Sequence, residues 1–227
     1  MSADSRTWRI RVGDDEVSAV FDAAGDADAP APVFVCAHGA GGNLADRGVV
    51  ATAKVLREHG LHTVRFNFVY RERKSSRPDA MPKLTACIQA VVEHTRKEMN
   101  PGRLIIGGRS MGGRAASMMA AEGFACDGLL LLAYPLHPPG RPEQLRSAHL
   151  PSIRVPTLCI NGTRDAFCTR SLMEDVMKTL PPTWRMHWIE GADHSFHVLK
   201  STGRSDDEVL REIGAITRQW LNDDLRG

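Results

Sequence analysis

The chain changes its hydrophobic pattern after a short N-terminal section. Residues 8–12 and 17–21 alternate apolar and polar side chains on either side of a polar turn at 13–16. A period of two residues is typical of strands with one buried face, so the sequence predicts a β-hairpin at the edge of a sheet. The polar, proline-containing stretch 22–32 predicts a loop after it.

From residue 33 onward, short apolar runs alternate with longer segments that have helical periodicity. The runs predict strands near 33–37, 62–67, 103–107, 128–133, 155–160 and 184–189. The intervening segments predict helices at roughly 45–59, 82–99, 111–122, 166–179 and 206–224. Continuous apolar runs are typical of parallel strands covered by helices on both faces. The pattern therefore predicts a doubly wound, mostly parallel α/β fold that forms a single domain over 1–227.

A serine flanked by glycines stands where one predicted strand meets the next helix. Gly108, Ser110 and Gly112 form a Gly-x-Ser-x-Gly motif that follows the apolar run 104–107 and precedes a small-residue helical segment. A sharp strand-to-helix turn lifts the serine hydroxyl out of the sheet, and the glycines leave room for that turn. The motif predicts a nucleophile. The alternative is a glycine-rich turn that needs a small polar residue.

Two more residues, much later in the chain, complete a catalytic arrangement. Asp165 follows the predicted strand 155–160 after a glycine turn, and His194 lies in the loop after the strand 184–189. A serine hydroxyl needs a base to take its proton, and the base needs an acid that holds its tautomer. In folds with this serine turn, the acid and then the histidine follow the nucleophile along the chain. We therefore predict a triad of Ser110, His194 and Asp165.

Other acids and histidines are weaker candidates for these roles. Glu190 is the reserve choice for the acid, whereas Asp193 adjoins His194 and neighbouring side chains of an extended loop point apart. His197 is the competing base. The chain has no H-x-x-x-H or C-x-x-C spacing, so the sequence predicts neither a metal site nor a cofactor.

A glycine-rich stretch follows the predicted strand 33–37. Residues 38–43 read His-Gly-Ala-Gly-Gly-Asn. In this architecture, backbone amides after that strand and after the nucleophile supply the oxyanion hole. The sequence therefore predicts the N–H groups of Ala40 and Met111 as the oxyanion donors, with His38 shaping the loop through hydrogen bonds. A plain flexible turn is the alternative.

Composition narrows the class of protein. The chain has 29 Lys and Arg against 27 Asp and Glu, and no basic stripe with interleaved aromatic residues, which argues against a nucleic-acid partner. No apolar stretch approaches the roughly 20 residues that span a bilayer, so no membrane association is predicted. The five cysteines lack paired spacing, and the N-terminus lacks the apolar core of a signal peptide. Both features predict a cytoplasmic protein with reduced thiols.

The connection between the predicted strands 128–133 and 155–160 limits any cap over the site. Only residues 134–153 are available, and five prolines among them resist a large helical lid. We expect a short cap and a shallow, open site. Tyr70 and Tyr134 each follow a strand and are predicted as pocket walls.

Two basic features lie near the predicted site. The loop 70–77 is basic. One interpretation is that it steers an anionic acyl substrate, but a solvated charged loop is the favoured interpretation. Arg109 adjoins the nucleophile in sequence. The side chain at this position of such a turn is expected to pack away from the pocket, so Arg109 is assigned no role.

The chain resembles the α/β-hydrolase superfamily, and within it a dienelactone-hydrolase-like branch. This branch includes the hydrolase-like domain of a subunit of the NSL histone-acetyltransferase complex and a testis-expressed vertebrate relative. The stretches that carry the resemblance are 38–42, 65–72, 108–114, 162–165 and 192–196. The resemblance implies an α/β-hydrolase fold and a Ser–Asp–His site, although some relatives serve as protein scaffolds. True dienelactone hydrolases use a cysteine where Ser110 stands here.

These features together predict a serine hydrolase. The expected substrate is a small-molecule carboxylic ester or thioester, cleaved through an acyl-enzyme on Ser110. One alternative is a non-catalytic module with the same fold that serves protein contacts. Another is a serine peptidase acting on short peptides. The sequence leaves the oligomeric state open.

Overall fold

An eight-stranded sheet forms the centre of the structure. The computed structural model describes residues 5–27 and 31–225, so residues 1–4 of the N-terminus and residues 28–30 of the predicted loop 22–32 lie outside the described part. The strands are β1 (Ser5–Val12), β2 (Asp15–Asp22), β3 (Val33–Ala37), β4 (His62–Phe66), β5 (Leu104–Arg109), β6 (Gly128–Leu132), β7 (Thr157–Gly162) and β8 (Trp184–Ile189). Their order across the sheet is β1-β2-β4-β3-β5-β6-β7-β8. The first three in this order run antiparallel and the rest are parallel, which confirms the predicted N-terminal hairpin and the mostly parallel sheet.

Helices cover both faces of the sheet. They are α1 (Arg47–Glu58), α2 (Val69–Glu72), α3 (Met81–Met99), α4 (Met111–Ala121), α5 (Arg170–Met177) and α6 (Asp206–Asp223). The single turn α2 was not predicted, and α5 begins four residues later than predicted because Asp165 and Cys168 close a turn before it. The start of α6 was predicted closely. A capping box defines it, since the Glu208 N–H donates to the Ser205 hydroxyl and the Ser205 N–H donates to the Glu208 carboxylate.

The core has two parts, one on each face of the sheet. Within β3, Val33, Val35 and Ala37 belong to one hydrophobic cluster, whereas Phe34 and Cys36 belong to the other. Helices α1 and α6 pack together over the second cluster, and α3 and α4 pack together on the opposite face. Both faces of the strand are therefore buried, which explains why its sequence is apolar throughout rather than alternating.

The cap is short, as predicted. The connection between β6 and β7 contains one 3₁₀ turn, Leu150–Ser152, and no α-helix. Two hydrogen bonds hold it in shape, one within the connection and one to α4. The Tyr134 hydroxyl donates to the Arg146 carbonyl oxygen at 2.7 Å, and the Ser117 hydroxyl lies 2.8 Å from His149 Nε2.

Two further predictions concern membrane-spanning helices and the cysteines. Within residues 5–27 and 31–225, no helix is long and apolar enough to cross a membrane. The five cysteines are unpaired thiols, and burial raises the pKa of Cys36 and of Cys87 to about 12. These thiols are therefore protonated and unreactive at neutral pH.

Candidate active site

Ser110 lies on a strained turn between the end of β5 and the start of α4. Its φ of 51° and ψ of −116° are rare for a residue that has a side chain. The flanking glycines make this turn possible. A Cβ atom on Gly108 would lie 2.1 Å from the Ala37 carbonyl oxygen, and one on Gly112 would lie 2.5 Å from the same oxygen. The turn thus has the strand–elbow–helix geometry that the motif predicted.

The structure brings the three predicted triad residues together in one hydrogen-bonded line. His194 Nε2 lies 2.9 Å from Ser110 Oγ, and His194 Nδ1 lies 2.9 and 2.8 Å from the two carboxylate oxygens of Asp165. The arrangement that satisfies all of these groups has the serine hydroxyl donating to Nε2 and the Nδ1 proton donating to the carboxylate. This is the protonation state in which Nε2 can accept the serine proton.

The Asp165 carboxylate is buried and held by two other donors. The Asn161 side-chain amide donates to Oδ2 at 3.1 Å, and the Phe167 backbone N–H donates to Oδ1 at 2.8 Å. The side chain of Asp165 is fully buried, and these bonds hold its carboxylate in place. A Cβ atom on Gly162 would lie 2.1 Å from the Ala192 carbonyl oxygen, so the glycine allows the acid turn and the histidine loop to approach closely.

Two contacts hold His194, one to the face of its imidazole and one to its backbone carbonyl. The Phe167 ring stacks on it with centroids 4.3 Å apart and planes at 30°. Arg109 Nη2 donates to the His194 carbonyl oxygen at 2.9 Å. Asp193 closes the same loop by accepting from the backbone N–H groups of Ser195 and His197. Asp193 therefore orders the loop and makes no contact with the imidazole.

The two alternative residues lie away from this line. The His197 ring pairs with Asp206 at 2.9 Å, and its side chain is 58% exposed. The hydrogen bond to Asp206 raises the pKa of His197 above its usual value. The Glu190 side chain is 79% exposed and accepts from the Thr163 hydroxyl. Neither side chain contacts Ser110 or His194.

The glycine-rich loop after β3 lies directly against the nucleophile. A Cβ atom on Gly39 would lie 3.5 Å from the Ser110 Cβ. The N–H groups of Ala40 and Met111 donate no hydrogen bond within the described residues, which leaves both predicted oxyanion donors free. Met111 is the first residue of α4, where a backbone N–H has no partner within the helix.

His38 holds this loop from inside the protein. Its Nδ1 lies 2.8 Å from the Gly39 carbonyl oxygen, and its Nε2 accepts from the Phe68 backbone N–H at 3.2 Å. These two bonds require a neutral imidazole with the proton on Nδ1. Burial lowers the pKa of His38 to about 4, which favours the same neutral form.

Two polar side chains anchor the loop at Leu44. Asn67 Oδ1 accepts from the Leu44 backbone N–H at 2.8 Å, and the Arg65 guanidinium donates to the Leu44 carbonyl oxygen. Arg65 also forms a buried ion pair with Asp22 on β2, with Nη2 and Oδ2 2.7 Å apart. The stretch 65–72, which contributed to the family resemblance, is therefore a support for the glycine-rich loop.

The prediction that Tyr70 and Tyr134 line the pocket is wrong. Tyr134 is completely buried, and its hydroxyl is occupied by the Arg146 carbonyl oxygen. Tyr70 is 2% exposed and packs edge-on against His38 with centroids 5.9 Å apart. At both strand ends the chain turns so that the aromatic ring enters the core, behind the site.

Several charged residues of the basic loop 70–77 have partners within the protein. Arg73 forms an ion pair with Asp15 of the hairpin, and Arg71 donates to the Ser75 carbonyl oxygen. Glu72 accepts from Asn67 and from the Ser18 backbone N–H. These contacts agree with the favoured interpretation of a structural, solvated loop.

A cleft of about 450 Å³ lies between the glycine-rich loop and the histidine loop, and His194 is the triad residue that lines it. It is lined by Gly39, Ala40, Gly41, Gly42, Asp46, Gly48, Val49, Arg109, His194 and Ser195. An adjoining cavity of about 350 Å³ shares Gly48, Arg109 and Ser195 with it. The Arg109 side chain thus lines the pocket, contrary to the expectation that it packs away.

The family assignment agrees with this geometry. A family described as an alpha/beta hydrolase domain matches residues 30–222, which is most of the chain. The chain belongs to this α/β-hydrolase family. The match does not reach either end of the chain, so the extent of the single domain over 1–227 stays a prediction.

Solved structures share the fold of this α/β hydrolase at low sequence identity. A serine hydrolase homologue from Coxiella burnetii is 19% identical with a TM-score of 0.76, and the match covers 93% of this chain and 96% of that one. A serine hydrolase without lid from Xanthomonas campestris is 21% identical with a TM-score of 0.73, over 97% and 96% of the two chains. A dienelactone hydrolase from Anabaena variabilis is 20% identical with a TM-score of 0.73, over 98% and 100%. At these identities the likeness shows the fold alone.

Sequence reasoning missed several residues of the hydrolase site. Phe167 and Arg109 flank the histidine loop, and Arg65 and Asn67 anchor the glycine-rich loop. The position of Arg109 next to Ser110 in the sequence was a signal from which its place in the site could have been predicted. The stretch 65–72 contributed to the family resemblance, but nothing in it gave Arg65 or Asn67 a role, and no local pattern marks Phe167. The partners of all three are distant in sequence.

Proposed function

We propose that the protein is a serine hydrolase that cleaves a carboxylic ester or thioester of a small acyl substrate. The observation that carries this proposal is the unbroken line from Ser110 Oγ through His194 to the buried carboxylate of Asp165, beside an open cleft that His194 lines. A hydroxyl that is hydrogen-bonded to an oriented imidazole is an activated nucleophile. The proposal makes Ser110, His194 and Asp165 the catalytic triad.

The reaction proceeds in two steps. Ser110 Oγ attacks the carbonyl carbon while its proton passes to His194 Nε2, and the Asp165 carboxylate stabilises the imidazolium. The tetrahedral intermediate collapses when His194 returns the proton to the departing alcohol or thiol, which leaves an acyl-enzyme. Water then attacks the acyl carbon and gives its proton to His194. The serine is released as the carboxylic acid departs.

The Ala40 and Met111 amides stabilise the oxyanion of both tetrahedral intermediates. Both N–H groups are free and flank Ser110, one on the glycine-rich loop and one at the start of α4. Loss of one such donor typically raises the barrier by about 3 kcal/mol. His38, Arg65 and Asn67 keep the glycine-rich loop in place and act as positioning residues.

The size of the cleft and the short cap favour small substrates. A volume of about 450 Å³ suits a small ligand, and no helical lid covers it within the described residues. A serine peptidase on short peptides is the second candidate, and a non-catalytic protein-interaction module is the third. The hydrogen-bonded triad argues against the module, since a scaffold has no need for the three groups in register. The closer resemblance to the NSL-complex subunit, and the cytoplasmic location, stay predictions.

Matched variants at each triad position test the proposal. Kinetics with p-nitrophenyl esters from acetate to octanoate and labelling by a fluorophosphonate probe are measured for Ser110→Ala, His194→Ala and Asp165→Asn. Their controls are Ser76→Ala in an exposed loop, His197→Ala and Glu190→Gln. We expect each triad variant to lose at least about a thousandfold in kcat/KM, as triad members typically do, and the controls to stay within about threefold.

Two outcomes would contradict the proposal. Ester hydrolysis that survives in Ser110→Ala would remove the serine from its role. A folded wild-type protein that neither turns over esters nor labels with the probe would favour the protein-interaction module. Cleavage of short peptides in place of esters would favour the peptidase.

A further inference from the structure

Arg109 extends from the end of β5 across the floor of the cleft. A Cβ atom on Gly48, at the start of α1, would lie 2.8 Å from its Nη1, so the guanidinium rests where that glycine leaves space. Its Nη2 bonds the His194 carbonyl oxygen, and its Cζ lies 5.8 Å from the centroid of the Phe196 ring. The charged group is therefore fixed between α1 and the histidine loop, next to the nucleophile.

The guanidinium forms no ion pair within the described residues. The acidic groups nearest to its charge are Asp193, Asp165 and Asp46. Asp193 and Asp165 hold the histidine loop and the triad, whereas Asp46 accepts from the backbone and side-chain N–H groups of Asn43. Of the five N–H donors of an arginine, the hydrogen bond to His194 uses one. The others have no acceptor among residues 5–27 and 31–225.

Burial makes this an unusual position for a charge. Burial lowers the pKa of the Arg109 guanidinium below its usual value, which indicates that the surrounding protein does not fully compensate the charge. A guanidinium nonetheless keeps its proton in proteins. A partly buried cation with spare donors in a substrate cleft is suited to an anionic ligand.

The cleft geometry brings substrate atoms to this group. Arg109 lines both the cleft beside His194 and the adjoining cavity, and Gly48 and Ser195 are also shared by the two. Arg109 therefore lies where the two cavities meet, so a substrate that extends from the cleft into the adjoining cavity passes its side chain.

We infer that Arg109 is a specificity-determining residue that binds a carboxylate carried by the ester substrate. This inference rests on the proposed hydrolase function and names its substrate class: esters with an anionic end, such as the half-ester of a dicarboxylic acid or the ester of a hydroxy acid. The planar fork of the guanidinium pairs with a carboxylate through two parallel hydrogen bonds. The carboxylate stays unreacted, and it orients the ester carbonyl toward Ser110.

Two pairs of substrates of matched shape test this inference. On the acyl side, 4-nitrophenyl hydrogen glutarate is compared with 4-nitrophenyl 5-methylhexanoate, whose isopropyl end has the shape of the carboxylate. On the alcohol side, 3-carboxyphenyl acetate is compared with 3-isopropylphenyl acetate. Rates measured with Ser110→Ala are subtracted to remove self-catalysed hydrolysis. The readout is the ratio of kcat/KM for the anionic member to that for the neutral member of each pair.

We expect wild type to favour the anionic member of at least one pair, which also identifies the side that meets Arg109. Arg109→Met should lower that ratio by about 30-fold, within the range for hydrogen bonds to a charged group, and mainly through KM. Arg109→Lys should retain part of the preference, because the charge remains without the fork.

Gly48→Ala should lower the ratio without changing any charge, since its methyl group displaces Nη1. Lys54→Met, which removes an exposed cation on the same helix as Gly48, is the control for general electrostatic attraction, and its ratio should stay within about threefold of wild type.

The ratio separates the inference from a purely structural role. If Arg109 acts only by holding the His194 carbonyl, Arg109→Met slows both members of a pair equally and the ratio stays constant, which overturns the inference. A wild-type enzyme without preference in either pair overturns it as well, while Ser110-dependent hydrolysis of the neutral esters leaves the proposed function standing. Absence of Ser110-dependent hydrolysis for all four esters, in a protein that also fails to label with the fluorophosphonate, is instead the failure of the proposed function.

Discussion

Two histidines at the same edge of the sheet have opposite tasks, and their surroundings decide which task each performs. The His194 side chain is 23% exposed and bonded to a carboxylate, so it can accept a proton during turnover. His38 is completely buried, with both ring nitrogens engaged by backbone groups. A buried imidazole that must stay neutral serves as a rigid connector between two loops.

His38 is expected to make the protein less stable in mild acid. Its pKa is about 4 in the folded state against 6.5 for an ordinary histidine, so below pH 6.5 the unfolded chain binds a proton that the folded side chain does not. Above pH 6.5 the buried neutral His38 has no effect on the free energy of unfolding. That free energy decreases as the pH falls from 6.5 toward 4. At pH 5 the loss is about 2 kcal/mol in the free energy of unfolding.

Urea unfolding at pH 7 and pH 5 checks this for wild type and His38→Gln. The variant should lose less stability than wild type between the two pH values, because glutamine does not titrate. Burial also lowers the pKa of His149 to about 4, so His149→Gln is measured beside it. An equal loss in wild type and His38→Gln would show that the buried imidazole is not the source.

At the scale of elements, the site depends on how closely the backbones approach one another. The turn after β5 presses against the end of β3, and only a residue without a Cβ fits at Gly108 or Gly112. The loop after β3 is in turn fixed to β4 through Arg65 and to the segment after β4 through Asn67. The nucleophile and the oxyanion loop are thus held by the same three neighbouring strands.

Gly108→Ala is expected to disrupt the elbow. Gly108 has a φ of +139°, and the added methyl group would lie 2.1 Å from a backbone oxygen, so strands must separate to accept it. The cost should exceed about 3 kcal/mol, or prevent folding altogether. Gly102→Ala is the matched control, because a Cβ there meets nothing within 4 Å, and its stability should change by less than about 0.5 kcal/mol. Thermal and urea unfolding compare the two. Equal stability of both variants would refute the tight contact between β5 and β3.

At the scale of the whole molecule, access to the site depends on the carboxyl edge of the sheet, which no helical lid covers within the described residues. A hydrogen bond from Tyr134 to Arg146 holds the cap in shape, and a hydrogen bond between His149 and Ser117 joins it to α4. Its turn Leu150–Ser152 packs against the same helix. The site therefore needs no opening movement before a small substrate can enter.

The proposed hydrolase should consequently show no activation at a lipid–water interface. Rates on tributyrin are expected to rise smoothly through its solubility limit, because no lid has to be displaced by the lipid surface. A lipase with a helical lid serves as the comparison. A sharp rise in rate once emulsion forms would show that some part of the cap moves.

Much of this architecture was predictable from local patterns. The apolar runs predicted the parallel strands, and the Gly-x-Ser-x-Gly motif with its strand–helix context predicted the elbow. Asp165 and His194 were predictable because each follows a strand, and the carboxyl ends of parallel strands meet at one edge of a sheet. Wherever the position of a residue in a strand or turn decides its location, the sequence alone was sufficient.

The direction in which a side chain points could be determined only from the tertiary structure. Tyr70 and Tyr134 follow strands just as the triad residues do, yet they turn into the core, whereas Arg109 turns into the cleft. The space left by Gly48 and the carbonyl of His194 decide the path of Arg109, and both are distant from it along the chain. Sequence by itself determined which elements form and in what order, because propensity and hydrophobic period act over a few residues. Only the packed structure decided which charged and aromatic groups face a substrate, because that depends on space and partners supplied by remote segments.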